Sequence, residues 1–348
     1  MTTKTSTAEF DPNSLASGEG IFGLPFSTEE ATQVILPVPW EATVSYREGT
    51  SKAPEALMAA SRQVDLYDPN IKDAWKLGLA MDKIPQDIVE LNAATRKKVS
   101  HFLEILEAGN TDDTLLADIN AQCEKVNEWV RSRARHFLDQ GKLVYAIGGD
   151  HSTPLGLIQE LAKGEEFGIL HIDAHADLRD AYEGFENSHA SIMFNALKLP
   201  KVTKLVQIGI RDYCEDEIKI IEGSNGRAVL YTDQELKAKE FDGESWKKIC
   251  EEIISHLPQR VYVSFDVDGL DPKLCPNTGT PVPGGLEFEQ TLYLIKEVVR
   301  SKRTLIGFDI SEVTPGEDEW DANVGARLLF RIANLTALSN GLKPLSNF

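Results

Sequence analysis

Short apolar runs recur along this chain, at 34–36, 143–147, 167–172, 204–210, 228–231, 261–265 and 304–308. Continuous apolar stretches of this length, bounded by glycine, proline or polar clusters, predict strands buried on both faces. Between them the pattern shifts to helical spacing, which predicts helices over 153–161, 189–197, 234–238, 244–256, 287–300 and 323–338. An earlier helix is expected over 54–61, with Pro54 in its first turn. The stretch 84–140 is helical in texture. Val126, Trp129, Val130, Ala134 and Phe137 repeat at helix spacing, and Gly109-Asn110 divides the stretch in two. Strands alternating with helices of this length imply an α/β fold with a parallel sheet covered on both faces. Residues 1–33 read as an irregular arm, and 34–340 as a single domain.

A chain of 348 residues can build a large core without disulfides. Cys123, Cys214, Cys250 and Cys275 show no CxxC spacing, which predicts reduced thiols in a reducing compartment. The first 14 residues are polar, and no apolar run approaches the roughly 18 residues that span a bilayer. The expectation is a cytoplasmic protein with no membrane partner. A formal charge of −19, with no basic patch interleaved with aromatics, argues against nucleic acid.

The chemistry concentrates where the apolar runs end. Gly148-Gly149-Asp150-His151-Ser152 follows one run, Asp173-Ala174-His175-Ala176-Asp177 a second, and Asp266-Val267-Asp268 a third. Residues two apart on an extended chain point to the same side, and α/β enzymes bind ligands outside the carboxyl ends of their strands. His151, Asp173, His175, Asp177, Asp266 and Asp268 therefore make a candidate two-metal site. Such a nitrogen- and oxygen-rich anionic set suits Mn²⁺ and accepts Ni²⁺ or Co²⁺, and it is unlike a cysteine-rich structural zinc site. Four buried carboxylates without cations would repel one another.

With these motifs the chain resembles the ureohydrolases, the arginase and agmatinase family. The resemblance adds the stretch from Ser264 through Gly279-Thr280-Pro281-Val282-Pro283-Gly284-Gly285-Leu286, and Gly307 to Pro315. It implies a three-layer α/β/α sandwich with a mostly parallel central sheet, assembled as a homotrimer or homohexamer. It implies one metal held by His151, Asp173, Asp177 and Asp266, and a second by His175, Asp173, Asp266 and Asp268. The reaction implied is metal-dependent hydrolysis of a guanidinium carbon, giving urea and an amine or ammonia. Asp177 would aim the attacking oxygen, Glu312 would pair with the guanidinium, and His189 would shuttle protons. The usual His-Gly pair is His189-Ala190 here.

For the substrate, the loop 178–188 lacks the pattern by which arginases hold an amino-acid head. A cationic guanidino compound with agmatine leading is expected, its ammonium received by Glu183 or Glu186 with Asn187 nearby. The alternative is guanidine or a short alkylguanidine under an aromatic cap of Trp40, Tyr46 and Trp320, an activity the resemblance links to nickel. A non-catalytic subunit of a hetero-oligomer is the reading from another class, and the intact ligand set speaks against it.

Overall fold

The computed structural model describes residues 10–16 and 18–343. Within them the strands are β1 (Gln33–Pro37), β2 (Leu79–Met81), β3 (Leu143–Ile147), β4 (Phe167–Ile172), β5 (Val202–Ile210), β6 (Ala228–Thr232), β7 (Arg260–Asp266) and β8 (Thr304–Ser311). They form one sheet in the order β2-β1-β3-β8-β7-β4-β5-β6. Every neighbouring pair runs parallel.

Parallel neighbours require crossovers, and the helices supply them. Alternate strand residues feed two separate cores. Val34, Leu36, Val144, Ala146 and Ile169 pack with Phe102, Val126, Val130 and Phe137 on one face. Those partners come from α2 (Gln86–Glu107) and α3 (Asp113–Leu138). Ile35, Ile147, Leu170, Val263 and Ile310 pack on the other face. They meet Leu57 of α1 (Ala53–Ser61), Ile295 of the helix Phe288–Arg300 and Leu328 of the helix Trp320–Ser339. The result is the expected three-layer sandwich. Truncating one of these fully buried aliphatic side chains to alanine costs about 2–5 kcal/mol in such a core.

The long helical stretch divides where glycine predicts it. α2 ends at Glu107, Gly109 adopts φ +76°, and the Asp112 carboxylate accepts the Leu115 N–H at 2.9 Å to cap α3. Two elements go beyond the sequence reading. β2 is three residues long, too short to show a pattern. The helix Glu215–Gly223 is nine residues long and sets only half-buried Ile220 and Ile221 against the core, a stripe too short to read. The predicted helix at 189–197 opens with a separate 3₁₀ turn, His189–Ser191, before the α-helix Ile192–Leu197.

In the described part of the N-terminal arm, Ile21, Phe22, Leu24 and Phe26 are buried. The Phe22 ring lies 5.3 Å from Phe330, and its N–H donates to Ser61 Oγ at 2.8 Å.

The sheet order matters for function. β3, β8, β7 and β4 are consecutive neighbours, so the loops leaving their carboxyl ends converge although the sequence separates them widely.

Candidate metal centre and substrate pocket

Each of those four strand ends delivers part of one cluster. Gly149 makes the first delivery possible: a Cβ there would lie 1.6 Å from the Trp40 carbonyl oxygen, so only glycine lets the loop pass. Asp150 then accepts the Ser152 N–H at 3.0 Å, which turns the chain and aims His151 inward. β4 delivers Asp173 and, beyond it, His175 and Asp177. β7 ends on Asp266, whose carboxylate accepts the Asp268 N–H at 2.8 Å. Directly after β8, Glu312 takes a left-handed φ of 63° and accepts the His151 N–H at 3.0 Å.

The donors close on two points. His151 Nδ1 lies 2.9 Å from Asp173 Oδ2, 3.1 Å from Asp177 Oδ2 and 3.3 Å from Asp266 Oδ2. His175 Nδ1 lies 3.0 Å from Asp268 Oδ2 and 3.5 Å from Asp173 Oδ1. Asp173 thus turns one oxygen to each group.

The far side of the His151 ring decides what its near side can hold. Ser264 Oγ donates its one hydrogen to Asp309 Oδ1 at 2.9 Å. It must therefore accept from His151 Nε2, also at 2.9 Å. A neutral His151 then carries its proton on Nε2 and presents a lone pair at Nδ1, facing three carboxylate oxygens. That lone pair calls for a proton or a metal ion, and an imidazole nitrogen set among three carboxylate oxygens is a donor set that fits a metal.

His171 also reaches this group, and sequence reasoning missed it. Its Nε2 is 2.8 Å from Asp173 Oδ2 and its Nδ1 is 2.9 Å from Gln207 Nε2. The Gln207 amide is oriented by its 2.6 Å bond to the Ala176 carbonyl, which requires a donor. Nδ1 of His171 is therefore an acceptor and Nε2 a donor to Asp173. His171 braces a carboxylate and does not offer a lone pair to a metal.

The electrostatics reflect the crowding of buried carboxylates. Burial, then Asp268 and Asp173, push the Asp266 carboxyl well above its usual range. Burial, then Asp150 and Asp268, do the same to Glu312. Burial and Asp173 push Asp177 up to about 6. Two divalent cations would reverse these shifts.

The cluster floors a cavity of about 190 Å³. His189 and Glu312 line it, together with Ser45, Arg179, Tyr182, Asp212 and Thr280, which sequence reasoning did not single out. Glu312 Oε2 lies against Gly279, where a Cβ would come within 3.1 Å. His189 is half-buried and meets the Tyr182 ring edge-on at 6.2 Å. Burial, then the charges of His175 and His151, push its pKa down to about 4.

The remaining expected contacts lie elsewhere. Trp40 is 1% exposed and belongs to the core beside Leu36 and Val38, because its backbone is pinned under Gly149. Tyr46 is 71% exposed beside Arg47. Trp320 starts the last helix and donates its indole N–H to the Lys273 carbonyl at 3.1 Å. Glu183 sits in a left-handed turn, its carboxyl raised by burial. The Glu186 N–H donates to Asn120, and Asn187 reaches Glu124, so both turn toward α3. None of these six lines the cavity. The loop leaves the site after Tyr182 and packs against α3.

Comparison with known proteins agrees with this architecture. The sequence model of the Arginase family matches residues 31–334. The chain is 30% identical over 314 residues to N(1)-aminopropylagmatine ureohydrolase of Thermus thermophilus, covering 90% of this chain and 93% of that one. It is 28% identical to an agmatinase of Bacillus subtilis, covering 86% and 90%. The agmatine ureohydrolase structure from Thermoplasma volcanium superposes with a TM-score of 0.71 at 24% identity, covering 93% and 96%.

Proposed function

The chain belongs to the arginase family, and we propose that it hydrolyses a small guanidino compound to urea and an amine or ammonia at a two-metal centre. The observation that carries this reading is the convergence of His151, Asp173, Asp177 and Asp266 on one point and of His175, Asp173 and Asp268 on another, beneath Glu312.

In this reading His151, Asp173, Asp177 and Asp266 hold one ion, and His175, Asp173, Asp266 and Asp268 the other. When bound, such ions supply Lewis-acid charge and lower the pKa of water. Asp177 accepts a hydrogen bond that orients the attacking oxygen. Glu312 binds the guanidinium as a charge-assisted pair and turns its planar carbon toward the cluster. As the C–N bond breaks, the leaving nitrogen needs a proton. His189, at the cavity wall and neutral at physiological pH by its depressed pKa, relays that proton and does not store it. Mn²⁺ leads among the ions for this donor set, and Ni²⁺ is the alternative.

Likeness to the relatives puts agmatine first as substrate. The cavity favours a second, more compact reading, guanidine or a short alkylguanidine. Its 190 Å³ falls below the roughly 300–1,000 Å³ of ordinary ligand pockets. A homotrimer or homohexamer in the cytoplasm remains part of the proposal. No helix among the described residues is long and apolar enough to cross a membrane. Exposed Trp320 offers apolar surface for subunit contact.

The test is urea release by protein loaded separately with Mn²⁺ and Ni²⁺, on agmatine, guanidine, methylguanidine and L-arginine. Urea from at least one of these is the expected result. Stoichiometric metal binding with no urea from any would favour a non-catalytic subunit.

A further inference from the structure

Residues 271–280 form neither helix nor strand, yet part of this stretch packs directly against Glu312. The Thr278 hydroxyl donates to the Glu312 carbonyl at 2.9 Å. A Cβ at Gly279 would come within 3.1 Å of Glu312 Oε2, so the chain passes that oxygen closely. The other oxygen, Oε1, accepts the His151 N–H at 3.0 Å. Glu312 itself has a left-handed φ of 63°, a strained conformation for a residue with a Cβ, which its neighbours must hold in place. The loop is one of those neighbours, and an irregular loop needs something to fix it.

The last helix supplies the fixing point. Asp321, in its first turn, is fully buried. Asp321 Oδ2 accepts the Asn277 N–H and Oδ1 accepts the Asn277 side-chain amide, both at 2.9 Å. Both oxygens accept, the pattern of an ionised carboxylate, so one group grips a single loop residue at two points through charge-assisted bonds. The amide is boxed in as well: a Cβ at Gly316 would lie 2.3 Å from Asn277 Nδ2. Trp320 pins the same loop further back, its indole N–H meeting the Lys273 carbonyl at 3.1 Å. A carboxylate in the first turn of a helix also suits the helix dipole, but that role asks for no partner on the loop beside Glu312.

We propose that Asp321 is a positioning residue for the hydrolysis: by gripping Asn277 it sets Thr278 and Gly279 against Glu312, and so holds the guanidinium-binding carboxylate in the orientation that faces the His/Asp cluster. The inference rests on the ureohydrolase reading and adds to it a residue that acts through others. Release of Asn277 frees Thr278 and Gly279 to shift, and Glu312 Oε2 loses the backbone that confines it. Glu312 then pairs less well with the guanidinium in the ground state and the transition state alike.

Kinetics of the metal-loaded protein on agmatine, guanidine, methylguanidine and L-arginine test this. For each compound that the wild type converts to urea, Asp321→Ala should raise KM by about tenfold or more and keep kcat within about threefold, the mark of lost uniform binding. Metal stoichiometry should match wild type, since every proposed ligand stays in place. Asp321→Asn should restore most of the wild-type KM: its carbonyl oxygen accepts the Asn277 N–H, and the Asn277 amide turns to accept from its NH₂. Asn277→Ala removes one arm of the grip at a half-buried loop position, so it reports even if Asp321→Ala fails to fold. It should raise KM by a smaller amount, and the double variant should match Asp321→Ala. A purely structural role would lower melting temperature and active fraction with KM untouched. Urea release with wild-type KM in Asp321→Ala or Asn277→Ala, additive effects in the double variant, or an Asp321→Asn variant as impaired as Asp321→Ala, overturns the role of Asp321 alone. No urea from the wild type on any guanidino compound overturns the ureohydrolase reading, and this inference with it.

Discussion

His171 Nε2 lies 2.8 Å from Asp173 Oδ2, the same oxygen that faces His151 Nδ1 at 2.9 Å. Gln207 fixes the ring so that Nε2 donates. Asp173 is the carboxylate that turns an oxygen to each half of the centre, so His171 sets the geometry of both halves through it. Removing such a brace typically weakens metal binding by about 10–100-fold. His171→Phe should therefore lower metal affinity by that factor, read by calorimetric titration of the metal-free protein with Mn²⁺. His171→Gln, whose amide can still donate toward Asp173, should recover part of it. Equal affinity in wild type and His171→Phe would reduce His171 to core packing.

Most of the candidate His/Asp cluster was legible because its residues sit in short motifs at strand ends. Asp173, His175 and Asp177 announce themselves by spacing, and the apolar run before them marks the strand that carries them. His171 gave no such signal, since a histidine inside an apolar run reads as a buried strand residue. Its role appears only when β5 brings Gln207 alongside. Trp40 misled for the opposite reason. It follows a strand as site residues do, yet the close passage of Gly149 over its backbone turns it into the core. The loop after Asp177 was recognised as the substrate loop, but which of its side chains face the cavity depends on tertiary packing. Asn120 and Glu124 on α3 draw Glu186 and Asn187 away, leaving Arg179 and Tyr182 at the wall.

Glu312→Gln keeps shape and an acceptor for the His151 N–H but removes the charge that pairs with a guanidinium. Metal content should be unchanged while kcat/KM falls at least about 100-fold, as the loss of a buried charge-assisted partner implies. Metal-free Glu312→Gln should melt at the same temperature as wild type or higher near neutral pH, because burial, Asp150 and Asp268 disfavour the ionised carboxylate. Unaltered kinetics would assign Glu312 a structural role.

His189→Ala leaves every proposed ligand in place. Its metal stoichiometry should match wild type, while kcat drops by about 100-fold or more, within the range for lost proton transfer. With a folded pKa near 4, the ring is already neutral above pH 6, so wild-type kcat/KM should show no inflection from His189 between pH 6 and 8. A variant with wild-type kcat would remove His189 from the proton path.

The metal-free protein should lose stability as pH rises above about 6.5, the ordinary histidine pKa. Against burial, which lowers it, Asp173, Asp177 and Asp266 hold the His151 pKa well above the usual histidine value. Asp268 and Asp173 do the same for His175, again against burial. The Asp266 and Glu312 carboxyls are raised as well. Each of these four groups has its folded pKa raised above its unfolded value, so above the unfolded pKa the folded chain holds on to its proton more strongly than the unfolded chain does. The unfolded state therefore binds fewer protons, and the free energy of unfolding falls with pH. Asp173, held well below the usual carboxylate range by His171 and His151 despite burial, is ionised in both states and adds no slope. Cations in the centre displace the same protons, so metal affinity should rise over the same window and metal-loaded protein should keep its melting temperature. Thermal melts with chelator and with Mn²⁺, taken at half-unit steps of pH, check both halves. A chelated protein whose melting temperature climbs with pH would contradict the proton count assigned to this cluster.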